Sequence, residues 1–263
     1  MDRLFSGILL SVRLVRPILI VGALCAAAVV LLAQQATPPP TPAPQTTAPP
    51  VAQAPATLQA LKVVVLDPGH GGTDSGARGG SGIVEKEVTM SLARAVQAKL
   101  EQQGFQVVLT RLPDEGPSLD ERAATANAQR GAVFISLHVS SIGAVGTAMA
   151  FYMPASGTIP ASVSSARPLV RWRDAQQAYA AQSRKLAEFI QIQLGQKLRG
   201  SAEVPQAAAV RQLRSVTSPA VAVELSSVAA ADRRPLDQAA PALAEAVARA
   251  VAAFKAAYEA GVI

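Results

Sequence analysis

Hydrophobic and polar positions divide the chain into three unlike regions. The first holds Arg3, Arg13 and Arg16 ahead of an unbroken apolar run from Pro17 to Ala33, closed by Gln34 and Gln35. From Gln34 to Leu58 the chain is dense in Pro, Ala, Thr and Gln, with no apolar period at all. From Leu61 onward, short β-branched runs alternate with long helical periods. The apolar runs predict strands at Val63–Leu66, Gln106–Thr110, Ala132–Leu137, Ala148–Met153 and Val221–Val223. The 3.6-residue periods predict helices at Glu87–Gln103, Ser118–Arg130, Asp174–Leu198 and Ala239–Tyr258, the first of them stopped by Gly104. Strand, helix, strand, helix, strand is the order of an α/β fold: a single domain with a mainly parallel mixed sheet and helices on both faces.

The domain organisation follows from the same pattern: an N-terminal signal or membrane anchor over residues 1–33, a Pro/Ala/Thr-rich linker over 34–59, and a catalytic domain over 60–263. A basic flank followed by an apolar core is an export signal. The apolar run reaches the lower length limit of a spanning helix, roughly 17 residues. Cleavage at Ala26-Ala27-Ala28 would leave Val29 to Leu32 exposed behind it, so the reading is an uncleaved anchor. A cleaved signal and a soluble periplasmic or secreted product is the alternative. The proline clusters favour an extended spacer that holds the domain off the bilayer. Cys25, the sole cysteine, lies inside the apolar run, so the exported part has no disulfide to form.

Composition narrows the partners. The chain of 263 residues has 50% hydrophobic content and a formal charge of +6. Its basic residues are scattered and aromatics make up 4%. With neither a basic block nor a stacking platform, nucleic acid is not expected. The charge suits the carboxylate-bearing polymers and anionic lipids of a cell envelope.

The unusual polar residues gather where such sheets collect ligands, at the carboxyl ends of strands. His70 follows the first strand by an Asp67-Pro68-Gly69 turn, His138 ends the third strand, and Glu224 ends the last. Glu85 lies at the start of the first helix, where the positive end of the helix dipole favours a carboxylate. The chain has 2 histidines, and both are in this set. Two imidazoles and a carboxylate form a ligand set known from catalytic zinc sites with an open position for water. Each residue also has a plainer reading. Gly69-His70-Gly71-Gly72 could be a turn with an incidental histidine or a phosphate cradle, though it lacks the Gly-Lys-Ser/Thr ending. Glu85 could only improve a helix start. Glu224, at the end of the apolar run from Pro219, is a general base or the partner of Arg211 or Arg214.

The motifs Leu66-Asp67-Pro68-Gly69-His70-Gly71-Gly72 with Gly76-Ala77, Glu85-Lys86-Glu87-Val88, Leu109-Thr110-Arg111, Leu119-Asp120-Glu121-Arg122, Ser136-Leu137-His138 and Pro219 to Glu224 resemble the zinc-dependent N-acetylmuramoyl-L-alanine amidases of the type-3 amidase family. The resemblance runs in order from about Leu61 to the C-terminus. It implies Zn2+ as cofactor with His70, Glu85 and His138 as its ligands, Glu224 as the catalytic glutamate, and peptidoglycan as substrate. It also implies a place in the cell envelope, with the chain anchored to the inner membrane and the domain outside the cytoplasm. Other readings of the same metal logic are a zinc peptidase acting within the stem peptide and a peptidoglycan-binding module without turnover. The chain departs from the family at two places. Val139-Ser140-Ser141 stands where the family continues with Ala-Asn, and Ser226-Ser227 where it has Gly-Phe. Some relatives close the metal with an acidic residue on an inhibitory helix. Between His138 and Glu188 this chain offers only Asp174 for that role, and an open site is expected.

Overall fold

Val63 to Leu66 are β-branched or aliphatic at every position, and such a run is stable only when both of its faces are covered. In the computed structural model, which describes residues 60–155 and 171–263, that run lies inside a six-stranded sheet. The elements in chain order are β1 (Val63–Pro68), α1 (Glu85–Gln102), β2 (Gln106–Leu109), α2 (Leu119–Asn127), β3 (Ala132–Val139), β4 (Ala148–Tyr152), α3 (Ala180–Lys197), β5 (Gln206–Ala207), β6 (Ala220–Leu225) and α4 (Arg234–Glu259). Two 3-10 segments, Trp172–Tyr179 and Arg211–Leu213, complete them.

The sheet order is β2-β1-β3-β6-β4-β5. The four strands from β2 to β6 are mutually parallel, β4 runs antiparallel to β6, and β5 is parallel to β4. Strand residues alternate between two buried clusters, as the pleat requires. Val64, Leu66, Ile135 and Val223 pack against α1, α3 and α4. Val63, Val65, Phe134 and Ala220 pack against α2 and Leu213 on the opposite face. The α/β class, the mainly parallel sheet and helices on both faces are as the pattern predicts.

Element ends differ from expectation where tertiary hydrogen bonds decide them. Helix α1 begins at Glu85 because the Glu85 and Lys86 N–H groups donate to the Ala77 and Ser75 carbonyls of the preceding loop. Helix α2 is set by a capping box between Ser118 and Glu121. The long helix expected from Asp174 is instead a 3-10 segment followed by α3. Buried Gln176 donates through its side chain to the Val216 and Ser218 carbonyls and through its backbone to Arg214, which holds that segment apart. Helix α4 starts at Arg234, ahead of the expected Ala239, and continues through Pro241. β5 is too short to leave a sequence signal.

The amino end of β1 is tied to the last helix. Leu61 N–H donates to the Glu259 carboxylate at 3.1 Å, and Lys255 Nζ donates to the Leu61 carbonyl at 2.6 Å. The apolar run Pro17–Ala33 and the proline-rich stretch lie outside the described residues. Among the described residues no helix is long and apolar enough to cross a membrane.

Candidate metal centre

Parallel strands bring their carboxyl ends to one rim, and the register of β3 and β6 makes His138 and Glu224 neighbours on it. His70 reaches the same rim from the turn after β1, and Glu85 from the first residue of α1. The rings of His70 and His138 meet edge to face, centroids 5.1 Å apart. One donor atom from each of His70, Glu85 and His138 falls within 4.8 Å of the others, a grouping that could hold a metal ion.

The Glu85 carboxylate sits between the imidazoles. Its Oε2 is 3.1 Å from His70 Nε2 and accepts the Ala77 N–H at 2.8 Å; its Oε1 is 3.0 Å from His138 Nδ1 and accepts the Val139 N–H at 2.9 Å. Burial works to protonate Glu85, but the hydrogen bonds from His138, His70 and the two backbone groups outweigh it and hold the carboxyl well below its usual range. The hydrogen bond to Glu85 raises the His70 pKa against the opposing effect of burial. A fixed carboxylate with two imidazoles at this spacing matches the donor chemistry of a catalytic zinc site.

The turn that carries His70 is held rigidly. His70 itself adopts a left-handed backbone conformation, φ 62°, which is costly for a residue with a side chain. Its neighbours leave no room around the rings: a Cβ at Gly69 would come within 2.4 Å of His138, and one at Gly76 within 2.6 Å of Glu85. Two buried arginines grip the turn's carbonyls. Arg111 Nε donates to Pro68 at 2.7 Å and its Nη2 to Gly69; Arg122 donates to Pro68 at 3.0 Å and to His70 at 2.7 Å. Arg122 also pairs with Asp67 at 2.7 Å, and Asp67 accepts from Thr110 and Ser136 as well.

Glu224 is different. It is half-buried, and among the described residues no hydrogen bond or ion pair holds its carboxylate. Burial raises its pKa, the positive potential of His138 lowers it, and Glu85 raises it further; the net shift is upward. Pairing with Arg211 or Arg214 does not occur there. Glu224, Phe151, Val210 and Ser140 line an open cleft of about 410 Å³ on one side of the histidines. A second hollow, of about 240 Å³ and lined by Asp74, Ser118 and Arg122, lies on the other side.

Two further residues touch the cluster. Asp74 Oδ2 is 2.8 Å from His70 Nδ1, while its Oδ1 accepts the Gly76 N–H at 3.0 Å. Its placement four residues after His70 in a glycine-rich loop was a usable signal. Gln212 lies 3.3 Å from His138, nitrogen to nitrogen. No sequence signal marks it, because the approach depends on a 3-10 turn far along the chain.

A parallel sheet flanked by helices, with a histidine–glutamate–histidine cluster at its strand ends, defines an α/β protein with a candidate metal centre. The chain belongs to the Amidase_3 family of N-acetylmuramoyl-L-alanine amidases, whose model matches residues 64–253. It is 27% identical over 182 residues to the germination-specific N-acetylmuramoyl-L-alanine amidase of Bacillus subtilis, covering 62% of this chain and 66% of that one. It is 43% identical over 79 residues to the N-acetylmuramoyl-L-alanine amidase AmiC of Neisseria meningitidis, covering 30% of this chain and 19% of that one. The chain thus spans less than two thirds of the length of these curated relatives. Among solved structures, it resembles the N-acetylmuramoyl-L-alanine amidase AmiC2 of Nostoc punctiforme with a TM-score of 0.57 and 28% identity, covering 74% of this chain and 98% of that one.

Proposed function

We propose that the protein hydrolyses the amide bond between N-acetylmuramic acid and L-alanine in peptidoglycan, with Zn2+ held by His70, Glu85 and His138. The carrying observation is the pairing of a convergent three-donor cluster with a carboxylate that has no partner among the described residues, Glu224, on the adjoining strand. Bound zinc supplies a lowered water pKa, near 7, and polarises the scissile carbonyl. Glu224 accepts a proton from the attacking water and passes it to the leaving alanine nitrogen, releasing a free stem peptide and a lactyl group on the glycan. The raised pKa of Glu224 suits a group that must take up a proton and give it back. A binding module without turnover has no use for a costly unpaired carboxylate beside its donors.

In this reading residues 1–33 are an export signal or anchor, 34–59 a spacer and 60–263 the catalytic domain, which works outside the cytoplasm. The acidic candidate for an occluding role, Asp174, is exposed in its 3-10 segment; the stretch before it, 156–170, lies outside the described residues, and in this reading the enzyme acts without an activator.

The test is digestion of purified cell wall by the protein, with and without a chelator, and mass spectrometry of the fragments. Stem peptides bearing a free L-alanine amine, lost with chelator and regained with zinc, are expected. Cuts inside the stem peptide would establish the peptidase reading instead. His70→Ala and His138→Ala should each weaken zinc binding by roughly tenfold or more; wild-type occupancy in either would remove it as a ligand.

A further inference from the structure

His70 has an evident orienting partner in Asp74, whereas the corresponding group for His138 is uncharged. The His138 ring points Nδ1 at Glu85 Oε1, 3.0 Å away, and leaves Nε2 directed at the Gln212 carboxamide, 3.3 Å away. The His138 side chain is 16% exposed, so a ring nitrogen without a partner would be costly. Gln212 does not reach it by chance of a mobile loop. It projects from the turn Arg211–Leu213, whose Leu213 is fully buried against the face that carries α2. The Leu213 and Val216 N–H groups close that turn onto the Val210 and Leu213 carbonyls. Gln212, His70 and His138 form the wall shared by the two hollows.

We infer that Gln212 is a positioning residue for His138, fixing which ring nitrogen is offered to the metal. The inference rests on the ligand assignment proposed above. An imidazole that gives Nδ1 to a metal carries its proton on Nε2, and that proton needs an acceptor. The Gln212 carboxamide supplies one through Oε1. That acceptor comes to face the ring after a half-turn of the amide; as it stands, the amide Nε2 faces His138 Nε2 and supplies a donor, so Gln212 satisfies His138 in either tautomer. A carboxylate would satisfy one tautomer, and a hydrocarbon neither. The two imidazoles are therefore set by unlike groups: Asp74 strengthens His70 as a ligand with a full charge, while Gln212 orients His138 without adding a negative charge beside Glu85 and Glu224.

The experiment uses the full-length protein stripped of metal and titrated with zinc against a chromophoric chelator, for wild type, Gln212→Leu and Gln212→Glu. Leucine keeps the volume and removes the acceptor; glutamate keeps the acceptor. Gln212→Leu should loosen zinc by roughly tenfold to a hundredfold, with Gln212→Glu binding at least as tightly as wild type and all three metal-free proteins melting together. Ring 15N shifts of zinc-loaded wild type should report His138 protonated on Nε2. Unchanged zinc affinity in Gln212→Leu, equal loosening in both variants, or a proton on Nδ1 would overturn the role. If Gln212→Leu does not fold, the glutamate arm and the ring shifts decide. Failure of wild type to bind zinc would instead overturn the ligand assignment.

Discussion

The hydroxyls of Ser140 and Ser226 lie 3.4 Å apart across the carboxyl ends of β3 and β6. The two places where the chain departs from the family pattern are therefore in contact, and they act as one change in the cleft wall. Ser140 lines the cleft beside Glu224, and a Cβ at Gly143 would strike the Ser226 hydroxyl. Ser140→Ala and Ser226→Ala should each cost about 1 kcal/mol or less in denaturant melts. The double variant should cost less than the sum, since either single change already breaks the contact. Strict additivity would show the pair to be independent.

Glu224→Gln separates binding from chemistry. Zinc should stay while hydrolysis of cell wall falls by roughly a hundredfold or more. The same change should raise the melting temperature of the metal-free protein at neutral pH, because it removes a half-buried charge that has no partner among the described residues. Loss of zinc in this variant would make Glu224 a ligand.

Acid and base should act with opposite sign on the metal-free and zinc-loaded forms. Without metal, the hydrogen bond to Glu85 raises the folded His70 pKa above its ordinary 6.5. Its contribution to stability is full below that value and is lost as pH rises through the folded one. Glu85, lowered from its ordinary 4.5, contributes above that value and loses its contribution in acid. Stabilisation by zinc runs the other way from the His70 effect, since both imidazoles must be deprotonated to bind it. Melting curves with and without zinc should diverge as pH rises from about 5 to 8; parallel curves would contradict the coupling.

Arg122→Met leaves Asp67 buried, 1% exposed, without its ion-pair partner and frees the His70 carbonyl. It should cost about 3–5 kcal/mol of stability. Replacing the pair together, as Asp67→Leu with Arg122→Met, should recover part of that loss but not the zinc affinity, because the His70 carbonyl stays without its Arg122 donor. Equal stability of the single variant and wild type would rule out the clamp.

Asp74→Asn keeps the shape of the loop but exchanges the carboxylate on His70 Nδ1 for a neutral group. Burial works to protonate Asp74, but the hydrogen bonds from the Gly76 N–H and the His70 ring together outweigh it and lower its pKa. Zinc affinity should drop by roughly tenfold or more. An unchanged dissociation constant would reduce Asp74 to a loop residue.

The convergence of His70, Glu85, His138 and Glu224 was legible because three of them end strands or strand-turns and the fourth starts a helix. In a parallel sheet those positions share a rim. The alternation of the Val63–Leu66 run between two faces was likewise written in its uniform apolarity. Gln212 was not legible: its approach to His138 is a product of how a 3-10 turn folds back over the sheet, and no period in the chain encodes that. The break ahead of α3 was hidden for a similar reason, since Gln176 reads as an ordinary helical residue until its carbonyl partners near Ser218 are in place. The Ser140–Ser226 contact could be noticed as two oddities, but their relation needed the register of β3 against β6.

The fastening of Leu61 to Lys255 and Glu259 has a practical side. It sits at the amino end of β1, and six residues of strand, about 20 Å, separate it from the carboxyl end where His70 begins. Whatever precedes Ala60 is thus joined at the pole away from the cleft. A bead or sensor surface coupled at Ala60 itself should leave the cleft facing outward, free to meet an insoluble polymer that could never diffuse into a site facing its support.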